Sequence, residues 1–251
     1  MKTLSDKITL NLDSESEISV NGYIAPIEYT QYNFHQEWDE LANLKVAETE
    51  KQHPTSTFKA FLPSEPVSVG DCWEIQDTVL ELLSQLHPNP NLKMHINNGD
   101  SLGLWACLRA YNDNFADIVF RIHAEFRLEK GWFTPAQFAG NLIINRITEN
   151  VLYFQMYVPQ GALNFDVNWD DVGTDIGYCP QMELNAGTRP PNIDYTESIS
   201  QEDAERALIL RFYNAMQINW VSLEEALTLA PLQQKPIHAV SIDGPLTDEA
   251  C

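Results

Sequence analysis

Residues 119–126 read Val-Phe-Arg-Ile-His-Ala-Glu-Phe, and this stretch decides the fold that the sequence predicts. Polar Arg121, His123 and Glu125 alternate with apolar residues along it. Successive side chains of an extended chain point to opposite sides, so a period of two is typical of a β-strand with one buried face. The stretch therefore predicts a strand on which the three polar side chains share one face.

Similar runs follow and precede this stretch. Turn signals such as Asn112-Asp113-Asn114 and Pro159-Gln160-Gly161 leave only short connections between them. Parallel strands need long crossover connections, so the sequence predicts one twisted antiparallel sheet. Alternating or continuous apolar runs place its further strands at 104–108, 142–147, 151–158 and 163–169.

A helical pattern precedes these strands. Asp71 and Glu74 have the spacing of an N-cap and its capping-box partner. Apolar residues then recur with a helical period as far as Leu86. This pattern predicts a helix over residues 71–86, packed on a face of the sheet.

Two more helices are predicted after the strands. Ser200 and Ser222 each precede an amphipathic run with an acidic residue three positions on, which is typical of a helix start. A short apolar strand is predicted at 237–242. The predicted fold class is α+β, with an antiparallel β-sheet domain and packed helices.

Composition divides the chain into four parts. Proline and polar residues mark a linker before the predicted helices, and the first residues are polar and acidic apart from one alternating run at 8–12. The expected parts are an acidic N-terminal segment with one strand (1–57), a central α+β domain (58–187), a linker (188–199) and a helical segment (200–251).

The net charge of −21 over 251 residues limits the partners of the chain. Nucleic acids and anionic membranes repel such a protein, so we expect it to bind neither. Neither a secretory signal nor a bilayer-spanning apolar run is recognisable, and we expect a soluble, cytoplasmic protein. Its four cysteines are too few for a disulfide framework. The oligomeric state stays open.

Arg121, His123 and Glu125 are candidates for proton transfer, because they place an imidazole between a guanidinium and a carboxylate. A hydrolase or transferase could use such a set. A charge-paired ladder on a partly buried sheet face is the better interpretation, because neither a nucleophile nor a ligand accompanies the three residues.

Acidic residues between Asp166 and Asp175 resemble a cation site, but they lack the glycine and glutamate spacing of a calcium-binding loop. We therefore expect a solvated strand face and no metal site there. Phosphate-binding loops, nucleophile elbows and zinc-protease motifs are not recognisable in the sequence, so we expect no bound cofactor.

Cys251 is the last residue of the sequence. A helix, a connector, an apolar strand and a loop precede it, which is the arrangement that leads to a thioredoxin-type redox cysteine. In such sites the N-terminus of a following helix stabilises the thiolate. Here the carboxylates of Asp248 and Glu249 disfavour it, so Cys251 by itself is expected to be a poor nucleophile.

Six ordered strings of the sequence match one known family. They are FRIHAEF (120–126), WFTPAQF (132–138), LNFDVNW (163–169), DIGY (175–178), PQMEL (180–184) and GPLTDEAC (244–251). These strings resemble the selenoprotein N family. That family has a C-terminal thioredoxin-like domain with a Ser-Cys-selenocysteine-Gly motif, and Cys251 falls on its cysteine, with Ala250 in place of the serine.

The resemblance implies a thiol/selenol oxidoreductase whose redox pair is Cys251 and a selenocysteine directly after it. Residues 200–251 would then include the first helix and strand of an incomplete thioredoxin-like domain. The implied partner is a protein disulfide or thiol. The vertebrate members' membrane anchor, glycosylation and calcium-binding EF-hand are not recognisable in this sequence, so we do not carry them over.

A non-catalytic protein-binding or scaffolding module with an inert Cys251 is the alternative. The substrate, the electron donor and the role of the central domain stay open at this point. We expect the chain as it stands to be inactive, because the partner of Cys251 is absent from it.

Selenocysteine is encoded by UGA, so the first prediction concerns the gene. The resemblance places the family's selenocysteine and glycine directly after Cys251, so the codon after Cys251 is expected to be UGA, followed in frame by a glycine codon. On this hypothesis, the reading frame was closed or the chain cut at that codon. Sequencing the DNA checks this. A sense codon other than cysteine at that place would contradict it.

Overall fold

The computed structural model of the chain describes residues 7–12, 15–92, 103–161, 163–212 and 221–239. Its strands are β1 (Glu17–Ile24), β2 (Tyr29–Thr30), β3 (Glu50–Pro54), β4 (Cys72–Glu74), β5 (Pro90–Asn91), β6 (Leu104–Tyr111), β7 (Phe115–Ile122), β8 (Glu125–Leu128), β9 (Gly131–Pro135), β10 (Phe138–Asn145), β11 (Asn150–Tyr157), β12 (Phe165–Trp169), β13 (Gly173–Tyr178), β14 (Met182–Gly187) and β15 (Glu197–Ser198). Its α-helices are α1 (Phe34–Glu37), α2 (Asp39–Ala42), α3 (Thr55–Phe58), α4 (Leu80–Leu86), α5 (Gln201–Phe212) and α6 (Leu223–Gln233), and short 3-10 helices cover Lys59–Phe61 and Asp77–Val79.

The strands form two antiparallel sheets. The larger has the order β15-β6-β7-β10-β11-β14-β1-β3, and β4 also pairs with β6. The smaller has the order β2-β13-β12-β9-β8-β5. The predicted α+β class with an antiparallel arrangement is therefore confirmed, whereas the prediction of a single sheet is wrong.

The division into two sheets occurs inside the stretch that predicts the fold. Strand β7 ends at Ile122 in the larger sheet, and β8 begins at Glu125 in the smaller one. Between them His123 N donates a hydrogen bond to Gly103 O (2.7 Å). The alternation continues through the break, so a period of two cannot reveal that the chain changes sheets there.

The predicted helix over 71–86 is correct only in its second half. Cys72–Glu74 is strand β4, and the α-helix begins at Leu80. The Asp71 carboxylate accepts a hydrogen bond from Ser68 N (2.9 Å) in a turn instead of capping a helix. Pairing with β6 satisfies the backbone of this segment, so tertiary context overrides the local capping pattern.

The two helices predicted to begin at Ser200 and Ser222 are confirmed as α5 and α6. Ser200 Oγ accepts a hydrogen bond from Asp203 N (3.0 Å), and Ser222 Oγ accepts one from Glu225 N (3.2 Å). For the strand predicted at 237–242, residues 237–239 are not in a strand, and residues 240–242 lie outside the described residues.

The residues before 58 contribute three strands where the sequence predicts one. The predicted strand at 8–12 is reduced to one bridge between Ile8 and Val67. Strands β1 and β3 join the larger sheet through the pairing of β1 with β14, and β2 joins the smaller sheet. The division into four parts stays a prediction.

An aromatic cluster forms the centre of the core. The rings of Phe120 and Phe154 are stacked with centroids 5.7 Å apart, and Phe58 and Phe61 contact them from α3 and the 3-10 helix that follows it. A Cβ at Gly140 in β10 would lie 2.2 Å from Phe120 Cζ and 2.3 Å from Gln155 O. Only glycine leaves room for the Phe120 ring at this position.

Gly140→Ala is expected to lower the free energy of unfolding by about 2 kcal/mol or more, because the added methyl overlaps the ring and a carbonyl oxygen. Urea denaturation measures this. In the control Ala139→Gly, the reverse change at the neighbouring position, only the propensity cost of about 1 kcal/mol is expected. Strand propensity alone predicts that Gly140→Ala stabilises the protein, so an increase in stability would contradict the packing argument.

Candidate functional site

The cysteine that the sequence selects as a site residue, Cys251, lies outside the described residues. The other three cysteines have free thiols. Cys179 is buried, and its thiol lies 3.5 Å from the carbonyl oxygens of Ala25 and Gln181. Burial raises the pKa of the Cys179 thiol to about 11, so this thiol stays protonated and has a structural role.

Cys72 and Cys107 are brought together by the fold. They are opposite residues in the pairing of β4 with β6. In the sequence they are isolated cysteines, because their spacing fits no zinc motif and the region of Cys72 is predicted as a helix. A strand prediction for residues 72–74 would have been the only signal for the pair.

Arg121, His123 and Glu125 are all buried, but they do not share one strand. Arg121 Nε donates to Gln137 Oε1 (2.8 Å) in the larger sheet. Glu125 Oε1 in the smaller sheet accepts from Arg127 Nε (3.0 Å) and from Asn91 Nδ2 (3.1 Å). The break in the strand thus gives the charges of Arg121 and Glu125 different structural partners, which favours the structural interpretation over a hydrolase or transferase site.

The acidic stretch between Asp166 and Asp175 is solvated only in part, because Asp170 and Asp171 are exposed whereas Asp175 is not. Asp175 is buried, and its carboxylate accepts hydrogen bonds from Tyr32 N (3.0 Å) and Phe34 N (3.4 Å), which fixes the turn at the start of α1. In the described part of the chain, no group of three or more His, Cys, Asp or Glu side chains could hold a metal ion.

Asp166 in β12 has an unusual acidity. Burial raises the pKa of its carboxyl to about 7, and the nearby Glu125 carboxylate adds to this effect. The group is thus largely neutral in weakly acidic solution and becomes charged near neutral pH at a cost in stability.

A polar cleft of about 410 Å³ lies on the larger sheet beside the first turn of α5. Asp117, which is fully buried, is hydrogen-bonded to two of the residues that line it. Arg109 donates to Asp117 Oδ2 through Nε (2.9 Å) and Nη2 (2.6 Å), and Asn141 Nδ2 donates to Oδ1 (3.1 Å). The cleft is lined by Arg109, Asn141, Gln155, Tyr157, Arg189, Gln201 and Glu205.

The groups around this cleft are suited to binding more than to catalysis. Burial raises the pKa of Tyr157 in the wall and, to about 12, that of Tyr195, whose hydroxyl donates to Asp117 Oδ2 (3.5 Å). Both tyrosines therefore stay protonated and act as hydrogen-bond donors. The guanidinium of Arg189 is half exposed and lies 4.0 Å from Asp117 Oδ2. The cleft thus offers fixed donors and one accessible positive charge to a polar ligand.

Among the described residues, the helices are too short or too polar to cross a membrane. The cytoplasmic location stays a prediction.

Comparison with known proteins finds relatives of one kind. Selenoprotein N of Danio rerio is 32% identical over 262 residues, which cover 78% of this chain and 46% of the relative. Selenoprotein N of Homo sapiens is 31% identical over 262 residues (78% and 44%), and that of Mus musculus is 30% identical over 210 residues (68% and 37%). The chain thus spans less than half the length of these relatives. No family model and no solved structure matches it.

The pKa of Asp166 gives a prediction about stability. Because the folded-state pKa is raised above the unfolded value, the carboxyl stabilises the fold in its protonated form, and this contribution is lost as the pH rises through about 7. Relative to wild type, Asp166→Asn is expected to gain ~1 kcal/mol or more of unfolding free energy between about pH 5 and pH 8. Denaturation at several pH values measures the gain. Asp170→Asn, in the exposed turn that follows β12, is the control and should show little change; a pH-independent difference for Asp166→Asn would contradict the prediction.

Proposed function

This chain belongs to a selenoprotein N-like family, and from that relationship we propose that it acts in thiol/selenol oxidoreduction. Cys251 is the cysteine of the proposed redox pair, and a selenocysteine directly after it is the other member. The observation that carries the proposal is the similarity of 78% of the chain to two proteins named selenoprotein N. The string GPLTDEAC at 244–251, which resembles the approach to the family's redox motif, supports the same assignment.

The proposed reaction passes two electrons to a protein disulfide. The selenolate attacks one sulfur of that disulfide, the S–S bond breaks, and one thiolate leaves. Cys251 then gives up its proton and attacks the selenium of the mixed intermediate, which releases the second thiolate and leaves a sulfur–selenium bond in the protein. An external thiol must reduce that bond before the next cycle.

The proposal also includes a thioredoxin-like domain that contains Cys251. Helix α6 is well capped at Ser222, as a helix preceding the redox strand would be. Its side chains are all at least partly exposed, among them the large apolar Leu223, Leu227 and Leu232. Such an apolar surface fits a helix that packs on further strands of the same domain.

The test is disulfide reduction by the protein translated from the whole gene, with selenocysteine incorporated and dithiothreitol as the electron source. It should reduce a protein disulfide, and Cys251→Ser should lose nearly all turnover, because the mixed intermediate is no longer resolved. Cys179→Ser is the matched control, because Cys179 is buried and remote from the redox pair in the sequence. This variant should reduce the disulfide at the rate of the wild-type protein.

The chain as it stands should be inactive in the same assay. Turnover by the 251-residue chain equal to that of the longer protein would show that the Cys251 pair is not the reducing group. Equal turnover of Cys251→Ser and wild type would lead to the same conclusion.

A binding or scaffolding module is the second candidate, and the polar cleft beside α5 favours it. Arg189 is accessible at its rim, whereas Arg109, which also lines the cleft, is held in place by the buried Asp117. On this alternative, the whole protein fails to reduce any disulfide. A cellular partner should then be cross-linked to the Cys251→Ser variant as it is to wild type. The Arg189→Glu variant should lose that cross-link.

A further inference from the structure

The two cysteines of the larger sheet face each other directly. Cys72 in β4 and Cys107 in β6 are Cα partners in the antiparallel register. Strand β4 has three residues and pairs with β6 at the edge of the sheet that β15 also borders. The two thiols thus come from separate parts of the sequence and meet on one sheet face.

Hydrogen bonds on either side define the type of this cross-strand site. On one side of the cysteine pair, Leu108 N donates to Asp71 O (3.1 Å). On the other side, three residues from the cysteines along each strand, Ile75 N donates to Leu104 O (3.1 Å). Bonded and non-bonded pairs alternate along an antiparallel ladder. The cysteine pair is adjacent to the bonded Asp71–Leu108 pair, so it occupies a non-hydrogen-bonded site.

This site has the geometry that a disulfide needs. Opposite Cα atoms at non-hydrogen-bonded sites are about 4.5 Å apart, with side chains closer than at bonded sites. Disulfides span Cα separations from about 4.4 to 6.8 Å, so the bond can form without a change of register. The separation typical of such sites is near the short end of that range, which favours a disulfide that is easily reduced again.

The surroundings give the two thiols different access to solvent. Cys107 is fully buried against Val119 of β7 and against Ala204 and Leu208 of α5. Cys72 is partly exposed at the rim of this cluster. An external reagent therefore reaches Cys72 first, and Cys107 is protected behind it.

Charge and hydrogen bonding distinguish the thiols further. The hydrogen bond from Cys107 and the positive charge of Arg211 lower the pKa of Cys72 to about 7, although burial and the Asp71 carboxylate oppose this. The same hydrogen bond and burial raise the pKa of Cys107. Arg211, in the last turn of α5, is held 4.9 Å above the ring of Trp105, two residues before Cys107.

We propose that Cys72 and Cys107 form a redox-active dithiol that closes to a cross-strand disulfide by exchange with glutathione disulfide or a similar small disulfide. Cys72 is the attacking thiol and Cys107 the resolving thiol. This site is separate from the pair proposed at Cys251 and does not depend on it.

In each of the two exchange steps one S–S bond forms and one breaks. The Cys72 thiolate attacks one sulfur of glutathione disulfide, the S–S bond breaks, and one glutathione leaves as a thiolate. Cys107 then releases its proton and attacks Cys72 Sγ, and the second glutathione leaves. The protein loses two electrons and two protons, and one glutathione disulfide becomes two glutathione thiols.

The short edge strand makes the second step feasible. Among the described residues, strand β4 pairs only with β6, so it can separate locally from β6 at a lower cost than a central strand. Closing the disulfide joins β4 covalently to β6 and holds this edge of the sheet under α5. The dithiol thus links the redox state of its surroundings to the order of one sheet edge.

The experiment uses the 251-residue chain incubated with excess glutathione disulfide and then mapped by peptide mass spectrometry without reduction. Two of the four cysteines should be lost as free thiols, in one cross-link between the peptides of Cys72 and Cys107. Dithiothreitol should restore both thiols. Cys251→Ser should form the same cross-link, which separates this outcome from the function proposed for Cys251.

Two variants show the order of attack. Cys107→Ser should stop at a stable mixed disulfide between Cys72 and glutathione, because the resolving thiol is gone. Cys72→Ser should leave Cys107 as a free, buried thiol. Circular dichroism checks that both variants are folded.

A measurement on wild type needs no cysteine substitution. Iodoacetamide should modify Cys72 faster than Cys107 and Cys179. Arg211→Gln should slow the reaction of Cys72 at pH 7 by about fivefold, because a rise of one unit from a pKa of about 7 lowers the thiolate fraction from about one half to about one tenth. Arg206→Gln, an exposed arginine of the same helix, is the control and should leave the rate unchanged.

The proposal is wrong if the folded wild-type chain keeps both thiols under excess glutathione disulfide. It is equally wrong if Cys72 becomes linked to Cys251 instead of Cys107. Equal alkylation rates for Cys72 and Cys179 in the folded chain would also contradict it.

Discussion

The stacking of Phe120 on Phe154 across Gly140 is the contact on which the rest of the structure depends. The two rings belong to β7 and β11, and the strand between them can accommodate the Phe120 ring only because its residue there has no side chain. This contact holds the register of β7, β10 and β11. A shift by one residue would place every side chain of a strand on the opposite face, so the register also decides which residues reach the helices on each side.

The polar cleft and the pair of Cys72 and Cys107 both follow from that choice of face. The residues of β7 on the same side as Phe120 enter the aromatic core, whereas Asp117 and Val119 point to the side of α5. Across this second face, α5 borders the polar cleft through Gln201 and Glu205, and it borders the cysteine pair through Ala204, Leu208 and Arg211. One helix thus borders a site suited to binding and a site suited to thiol exchange. The redox pair proposed at Cys251 belongs to a different part of the chain.

Local patterns in the sequence predicted well where the structure is local. Ser200 and Ser222 begin helices because their side chains form hydrogen bonds with backbone N–H groups three residues away. The alternation of apolar residues correctly predicts most of the longer strands. The errors occur where distant residues decide. The local pattern predicts a helix where strand β4 lies, because the pairing of β4 with β6 leaves no local signal, and the change of sheet after Ile122 leaves the alternation intact. The sequence predicts a solvated Asp175, because its hydrogen-bond donors at Tyr32 and Phe34 are far away in the sequence.

The sequence by itself determined the antiparallel α+β class, the strongly acidic charge and the relationship to selenoprotein N, because these depend on periodicity, composition and long ordered strings of residues. The tertiary structure alone decided that there are two sheets, that Asp117 is enclosed by Arg109 and Asn141, and that Cys72 lies opposite Cys107. The physical reason is that a strand's partner and register are set by packing between residues distant in the chain. No pattern within a single strand records which residue stands across from it.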